Sequence, residues 1–130
     1  MAKILLVEDD EPVRAFVRKA LEMDRHSVTE AEDGGLALDI LIEHNGDFDL
    51  LLSDIRMPVM DGIALALSAA HKYPSLPILL MTGYAEQRER ASDLDAIIED
   101  VITKPFALSD LRELVRKTLE KRAIKTIPLE

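Results

Sequence analysis

The sequence predicts an α/β protein of the (βα)5 type, a doubly wound parallel five-stranded sheet with helices on both faces. Three observations predict it. Short apolar runs alternate five times with stretches of helical periodicity, and several runs are continuous enough to be buried on both faces. The third observation is the length, because 130 residues suffice for one domain with its own core. Such alternation favours right-handed crossovers between parallel strands.

The predicted elements follow one another from the first residues to the last helix. The strands are the apolar runs at residues 3–7, 27–31, 49–53, 77–81 and 98–102. The helices cover about residues 11–23, 34–45, 62–72, 85–95 and 107–121. The first helix has Pro12 in its first turn, and its apolar residues fall on one stripe: Val13, Phe16, Val17, Ala20 and Leu21.

The second and third predicted helices are apolar around most of their circumference. The second carries Leu36, Leu38 and Ile40 with their neighbours, and the third is rich in Leu and Ala. Two interpretations remain open. The helices pack side by side on one face of the sheet, or they present a surface to a partner or to a second copy of the chain.

Composition excludes several classes of protein. The chain has no Cys, which removes disulfides, thiolate chemistry and Cys-based zinc sites. The net charge of −9 argues against direct nucleic-acid binding. The N-terminal residues run directly into a strand without a secretory signal, and no apolar run is long enough to span a bilayer. We therefore expect a cytoplasmic protein that does not enter a membrane.

Asp54 is the first candidate functional residue. It follows the apolar run Leu50-Leu51-Leu52, and Pro58 and Gly62 force an irregular turn before the next helix. A carboxylate at the carboxyl end of a buried parallel strand lies where open α/β sheets bind their ligands.

Other strand ends carry chemistry that complements Asp54. Glu8 and Asp9 follow the first strand, Thr82 the fourth and Lys104 the fifth. Carboxylates packed together repel one another and need a cation, and hard oxygen ligands favour Mg²⁺. A metal site, an amine, a hydroxyl and a nucleophilic carboxylate are what phosphoryl transfer to an aspartate requires.

These strand ends resemble those of the receiver domains of bacterial response regulators, the CheY-like family. The likeness covers residues 2 to about 121 and rests on five segments. They are Leu6-Val7-Glu8-Asp9-Asp10, Ser53-Asp54-Ile55-Arg56-Met57-Pro58, Met60-Asp61-Gly62, Met81-Thr82-Gly83-Tyr84 and Lys104-Pro105-Phe106. The resemblance implies the strand order 2-1-3-4-5, a receiver domain over residues 1–121 and a tail over 122–130 without an output domain. The single-domain build further resembles CpdR-type adaptors.

The resemblance also implies roles for individual residues. Asp54 would be the phosphoacceptor, Thr82 the switch hydroxyl and Lys104 the phosphate-sensing amine. The Mg²⁺ ligands would be Asp9, Asp54 and the backbone carbonyl of Arg56, with Glu8 acting through water. The Lys104-Pro105 peptide bond would be cis.

The chain departs from the usual receiver pattern at the switch. Receivers often have an aromatic residue three positions before the lysine, and here that residue is Val101. Tyr84 is the nearest aromatic that could report the state of Thr82 instead. Arg56 and Tyr84 flank the path of attacking water, and their size predicts slow loss of the phosphoryl group.

The predicted function is a stand-alone receiver, phosphorylated by a histidine kinase or a phosphotransfer protein, that regulates a downstream protein by docking. It would catalyse only its own phosphorylation and dephosphorylation, as a monomer or a weak dimer. Arg14 and Arg18 form the predicted basic strip for kinase docking. The alternative is a phosphate sink or relay with the same site.

Two other classes fit less well. A haloacid-dehalogenase-like phosphohydrolase would need an Asp where Arg56 stands, and a flavin carrier would need hydroxyls where Glu8 to Glu11 stand.

Overall fold

A computed structural model describes residues 2–125 of the chain. Five strands alternate with five helices, as the sequence predicts. The strands are β1 (Lys3–Val7), β2 (Ser27–Ala31), β3 (Leu50–Asp54), β4 (Ile78–Thr82) and β5 (Asp100–Thr103). The helices are α1 (Glu11–Met23), α2 (Gly34–Glu43), α3 (Gly62–Lys72), α4 (Ala85–Ser92) and α5 (Leu108–Lys125).

All strand pairs are parallel, and the sheet order β2-β1-β3-β4-β5 confirms the predicted order. Alternate residues of the central strands face opposite sides of the sheet and form two cores. Leu5, Leu51 and Leu80 pack with α2 and α3 on one side. Leu6 and Leu52 pack with α1 and α5 on the other. The shared core on the first side accounts for the buried apolar residues of α2 and α3. Leu36, Ile42 and Leu67 are exposed, so a partner surface on these helices stays a prediction.

Three helix starts share the same capping device. The side chains of Asp10, Asp33 and Asp61 accept hydrogen bonds from backbone N–H groups in the first turns of α1, α2 and α3. Each such cap satisfies a donor that the helix itself leaves free. Helix α4 differs, because Tyr84 stands at its N-cap position and makes no side-chain cap.

Several predicted boundaries were wrong by a few residues. Helix α2 ends at Glu43 rather than 45, because Asn45 and Gly46 both adopt positive φ and stop the helix. Helix α4 ends at Ser92 rather than 95, and β5 begins at Asp100 rather than 98. Both differences fall in the weakly patterned segment between α4 and β5.

Helix α5 is longer than predicted. It continues to Lys125, so residues 122–125, predicted as the start of the tail, are helical. Ion pairs from Lys121 to Glu99 (3.2 Å) and from Arg122 to Asp49 (2.6 Å) hold the last turns against the sheet. The remaining predicted tail, residues 126–130, lies outside the described residues. No helix within residues 2–125 is both long enough and apolar enough to cross a bilayer.

Candidate functional site

The carboxyl ends of the strands bring the predicted residues to one edge of the sheet. Glu8 follows β1 directly, and its backbone N–H donates to the carbonyl of Ala31 at the end of β2 (3.1 Å). Asp54 and Thr82 are the last residues of β3 and β4. Parallel pairing continues one residue beyond β5, where the N–H of Lys104 donates to the carbonyl of Thr82 (2.7 Å).

Three carboxylates converge at this edge. One oxygen from each of Glu8, Asp9 and Asp54 lies within 4.8 Å of the other two. Glu8 is fully buried and Asp54 is 7% exposed, whereas Asp9 is open to solvent. We call this group the acidic cluster. Such proximity is unfavourable for three negative charges unless a cation lies among them.

Lys104 supplies one positive charge to the acidic cluster. Its Nζ lies 2.6 Å from Glu8 Oε1 and 3.2 Å from Asp54 Oδ2. The peptide bond to Pro105 is cis, as the resemblance implied. The predicted convergence of Lys104 and Asp54 is confirmed by this contact.

The protonation equilibria reflect this crowding. Burial raises the pKa of Glu8, with Asp54 adding to the rise and Lys104 opposing it. Burial and the neighbouring Glu8 also raise the pKa of Asp9. Burial acts to lower the pKa of Lys104, but its hydrogen bond to Glu8 and the charge of Asp54 outweigh that effect and raise it. Burial is the main cause of both raised pKa values and the neighbouring carboxylates add to it, so a further cation would favour the charged forms.

Backbone contacts hold Asp54 in place. The N–H of Ile55 donates to Asp54 Oδ1 (3.0 Å), while Oδ2 faces Lys104. Gly62 packs so closely beneath this turn that a Cβ atom there would collide with the carbonyl oxygen of Asp54. Gly62 also donates its N–H to the carbonyl of Ile55 (2.7 Å). Gly62, the first residue of α3, therefore helps to set the position of the Asp54 backbone.

The hydroxyl of Thr82 makes hydrogen bonds both as a donor and as an acceptor. It donates to Oε1 of Gln87 on α4 (2.8 Å) and accepts from the N–H of Tyr84 (3.1 Å). Sequence reasoning missed Gln87. An exposed polar helix gives no periodic signal that distinguishes one inward-pointing glutamine from its neighbours.

Arg56 and Tyr84 meet across the mouth of the site. Arg56 Nη1 donates to the hydroxyl of Tyr84 (2.8 Å), and the guanidinium carbon lies 5.1 Å from the centre of the ring. The pair joins the loop after β3 to the loop after β4. The metal-binding role of the Arg56 backbone carbonyl and the reporting role of Tyr84 stay predictions.

Arg14 and Arg18 do not form a free basic strip. Both pair with Glu30 on β2, Arg14 at 3.4 Å and Arg18 at 2.9 Å. Arg14 also donates to the backbone carbonyl of Glu8 (2.8 Å). Arg14 therefore supports the backbone of the acidic cluster, and its predicted role in kinase docking stays a prediction.

Val101 lies on β5, the edge strand, and is half-buried against the core on the α2–α3 side. Its backbone carbonyl accepts a hydrogen bond from Arg88 of α4 (3.2 Å), and Arg88 also donates to Thr103 Oγ1 (2.5 Å). A small aliphatic residue thus stands where receivers often have an aromatic, and α4 contacts the strand through Arg88.

The donor set fits a hard divalent cation. Carboxylate oxygens from Glu8, Asp9 and Asp54 converge, and they form the one such group found among residues 2–125. Mg²⁺ is commonly held by one or two carboxylates together with waters and phosphate oxygens. The exposed Asp9 leaves one side of the cluster open to solvent.

Comparison with known proteins identifies the class. The family model of the response regulator receiver domain matches residues 4–116, and the chain belongs to that family. Response regulator MprA of Mycobacterium bovis is 35% identical over 131 residues, covering 98% of this chain and 56% of its own length. The chain therefore spans about half the length of such curated relatives.

Solved structures agree with the family. A CheY-like receiver domain protein of Methanospirillum hungatei superposes with a TM-score of 0.86 at 30% identity, covering 96% of this chain and 98% of that one. The response regulator TrrA of Thermotoga maritima, solved in complex with Mg²⁺ and BeF, superposes with a TM-score of 0.82 at 29% identity. That match covers 91% of this chain and 99% of TrrA.

Proposed function

We propose that this receiver accepts a phosphoryl group on Asp54 in a Mg²⁺-dependent reaction. The observation that carries the proposal is the position of Asp54 between the ammonium of Lys104, at 3.2 Å, and the carboxylates of Glu8 and Asp9. The Mg²⁺–BeF complex of TrrA supports the same chemistry for a structural relative.

The donor would be the phosphohistidine of a histidine kinase or phosphotransfer protein. An oxygen of Asp54 forms a bond to phosphorus, and the P–N bond of the donor breaks. The electron pair leaves with the imidazole, which takes up a proton. Lys104, which contacts Asp54 Oδ2, would hydrogen-bond an oxygen of the transferred group, and the Thr82 hydroxyl would bond another after leaving Gln87.

Bound Mg²⁺ would neutralise charge on the transferring oxygens. Asp9 is the residue best placed for direct coordination, because it is exposed and Lys104 occupies Glu8 at 2.6 Å. Asp9→Ala should therefore weaken Mg²⁺ binding more than Glu8→Ala in a calorimetric titration. The reverse order would reassign the direct ligand to Glu8.

Acetyl phosphate and phosphate-affinity electrophoresis test the proposal. Wild type should shift in Mg²⁺, and excess chelator should abolish the shift. Asp54→Ala should not shift, whereas the matched control Asp47→Ala should, because Asp47 pairs with Lys3 at the opposite edge of the sheet. A label that survives Asp54→Ala would refute the assignment.

The pairing of Arg56 with Tyr84 supports slow loss of the phosphoryl group. The two side chains contact each other between the loops after β3 and β4, and there they would narrow the approach of attacking water. Arg56→Ala should shorten the lifetime of the acyl phosphate without preventing its formation. An unchanged lifetime would remove Arg56 from this role.

The output we propose is regulation of a downstream protein that binds the phosphorylated form. The receiver would act on its own, in the cytoplasm, and catalyse only its own phosphorylation and dephosphorylation. A phosphate sink or relay would share the site and lack such a partner. Pull-down with the Mg²⁺–beryllofluoride form against the free form separates the two roles.

For kinase docking, Arg18 gives a cleaner test than Arg14. Arg18 pairs with Glu22 of α1 and Glu30 of β2. Arg14 also donates a hydrogen bond to the backbone carbonyl of Glu8, which belongs to the acidic cluster. Arg18→Glu should slow transfer from a cognate kinase and leave labelling by acetyl phosphate intact. Equal loss of both reactions would indicate damage to the fold instead.

A further inference from the structure

Helix α4 is held to the rest of the domain mainly by polar contacts. Of its eight residues, all of them described, Ala91 is buried and most of the others are exposed. Polar contacts supply the remaining attachment: Gln87 to Thr82, Arg88 to β5, and Arg90 to Asp61 at 3.6 Å. Gln87 is the half-buried residue within 85–90, because its side chain turns toward the end of β4.

The contact between Gln87 and Thr82 uses the one proton that the Thr82 hydroxyl can donate. That oxygen accepts from the N–H of Tyr84, and the nearer of its two possible acceptors is Gln87 Oε1 at 2.8 Å, the other being the carbonyl of Tyr84 at 3.5 Å. A phosphoryl oxygen on Asp54 would need the same proton. The hydroxyl cannot donate fully to both acceptors, so the two arrangements exclude each other.

From this competition we infer that Gln87 is a positioning residue of the phosphorylation switch. It holds the Thr82 hydroxyl in the resting orientation, and its release couples occupation of Asp54 to the attachment of α4. The inference rests on the proposed function and names the residue against which the phosphoryl group competes. A ligand shifts such an equilibrium only by its preference for one arrangement, which here is the competition for the hydroxyl.

The coupling predicts that the domain binds beryllofluoride more tightly when the side chain at position 87 has no oxygen to accept a hydrogen bond from the Thr82 hydroxyl. Gln87→Met keeps the length of the side chain and removes the amide oxygen. Its affinity for beryllofluoride in the presence of Mg²⁺ should rise about three- to tenfold, the range that a net hydrogen bond supplies. Gln87→Leu is a second variant with the same expectation. Glu89→Gln, at an exposed position on the same helix, should match wild type within about 1.5-fold.

A double-mutant cycle shows whether the gain passes through the hydroxyl. In a Thr82→Val background, Gln87→Met should change the beryllofluoride affinity by less than about 1.5-fold, because no hydroxyl is left to release. In a Thr82→Ser background, which restores the hydroxyl, the gain should return. A gain that persists with Thr82→Val would overturn the inference.

A measurement without beryllofluoride or Mg²⁺ provides an independent readout. The amide resonances of Thr82, Gly83 and Tyr84 in free Gln87→Met should move part of the way toward their positions in the beryllofluoride-bound wild type. No movement, together with unchanged affinity, would show that Gln87 does not hold the resting state. If wild type itself fails to bind beryllofluoride, the proposed function has failed, and that result is distinct from a failure of Gln87 alone.

Discussion

Lys104→Met would remove the ammonium that contacts two members of the acidic cluster. Its Nζ lies 2.6 Å from Glu8 and 3.2 Å from Asp54, and its side chain is 25% exposed. With an effective dielectric constant of about 20, each contact represents roughly 5 to 6 kcal/mol of gross attraction. The cost of removing these charges from water offsets much of that attraction.

The expected loss of unfolding free energy is about 3 kcal/mol, at the lower end of what breaking a buried pair costs, because water reaches Lys104. For a domain of this size, that loss corresponds to a fall of roughly 10 °C in Tm. Urea and thermal unfolding in chelator would measure both quantities. Lys121→Met is the matched control, since Lys121 has the same 3.2 Å contact, to Glu99, but is 60% exposed. It should lose less than about 1 kcal/mol.

Mg²⁺ and pH give this prediction two further checks. Added Mg²⁺ should raise the Tm of Lys104→Met more than that of wild type, because the ammonium no longer competes for the carboxylates. Without Lys104, the pKa of Glu8 would rise further above its ordinary value of 4.5. A raised acid pKa disfavours the native state as pH increases, so the stability lost in Lys104→Met should grow as pH rises above 4.5 and shrink as pH falls toward it. Equal small losses in Lys104→Met and Lys121→Met would refute the reasoning.

Three further substitutions have expected outcomes in urea unfolding. Gly62→Ala should lose about 2 to 3 kcal/mol, because its Cβ meets the carbonyl of Asp54; a loss below about 0.5 kcal/mol would mean that the turn relaxes freely. Val59→Gly should gain about 1 kcal/mol, since Val59 is 86% exposed and has a φ of 69°, which is strained for a β-branched residue. A lower stability would show that its contacts outweigh the strain. Burial lowers the pKa of His26 below its ordinary value of 6.5, so wild type should lose stability as pH falls through that value, and His26→Gln should flatten this slope. Parallel slopes would assign the effect to other groups.

The fold could be predicted because burial leaves its trace in sequence. The run Leu50-Leu51-Leu52 is apolar on both faces, and the structure places it at the centre of the sheet with all three residues fully buried. The candidate site followed from the same fact, since the ends of parallel strands must share an edge. The order of the strands is therefore enough to predict that Glu8, Asp54 and Lys104 converge.

Contacts made by exposed polar side chains left no such trace. Gln87 and Arg88 belong to a helix with little apolar patterning, so its end and its inward-pointing residues could not be predicted from periodicity. The positive charges of Arg14 and Arg18 predicted a free docking strip. Charge alone does not show whether an arginine already pairs with an acidic residue of the same chain. Glu30, which pairs with both, lies on a neighbouring strand distant in sequence.

The polar attachment of α4 has a thermodynamic consequence. Unfolding steps that expose apolar surface carry a positive heat-capacity change, which makes their free energy curve with temperature. Release of a helix whose one buried residue is Ala91 would expose very little such surface. The heat-capacity change of this release would be close to zero. The free energy that attaches α4 would therefore not weaken on cooling in the way that the attachment of a leucine-packed helix does. In a receiver built this way, the free energy of releasing α4 would vary almost linearly with temperature, without the maximum that burial of apolar surface produces.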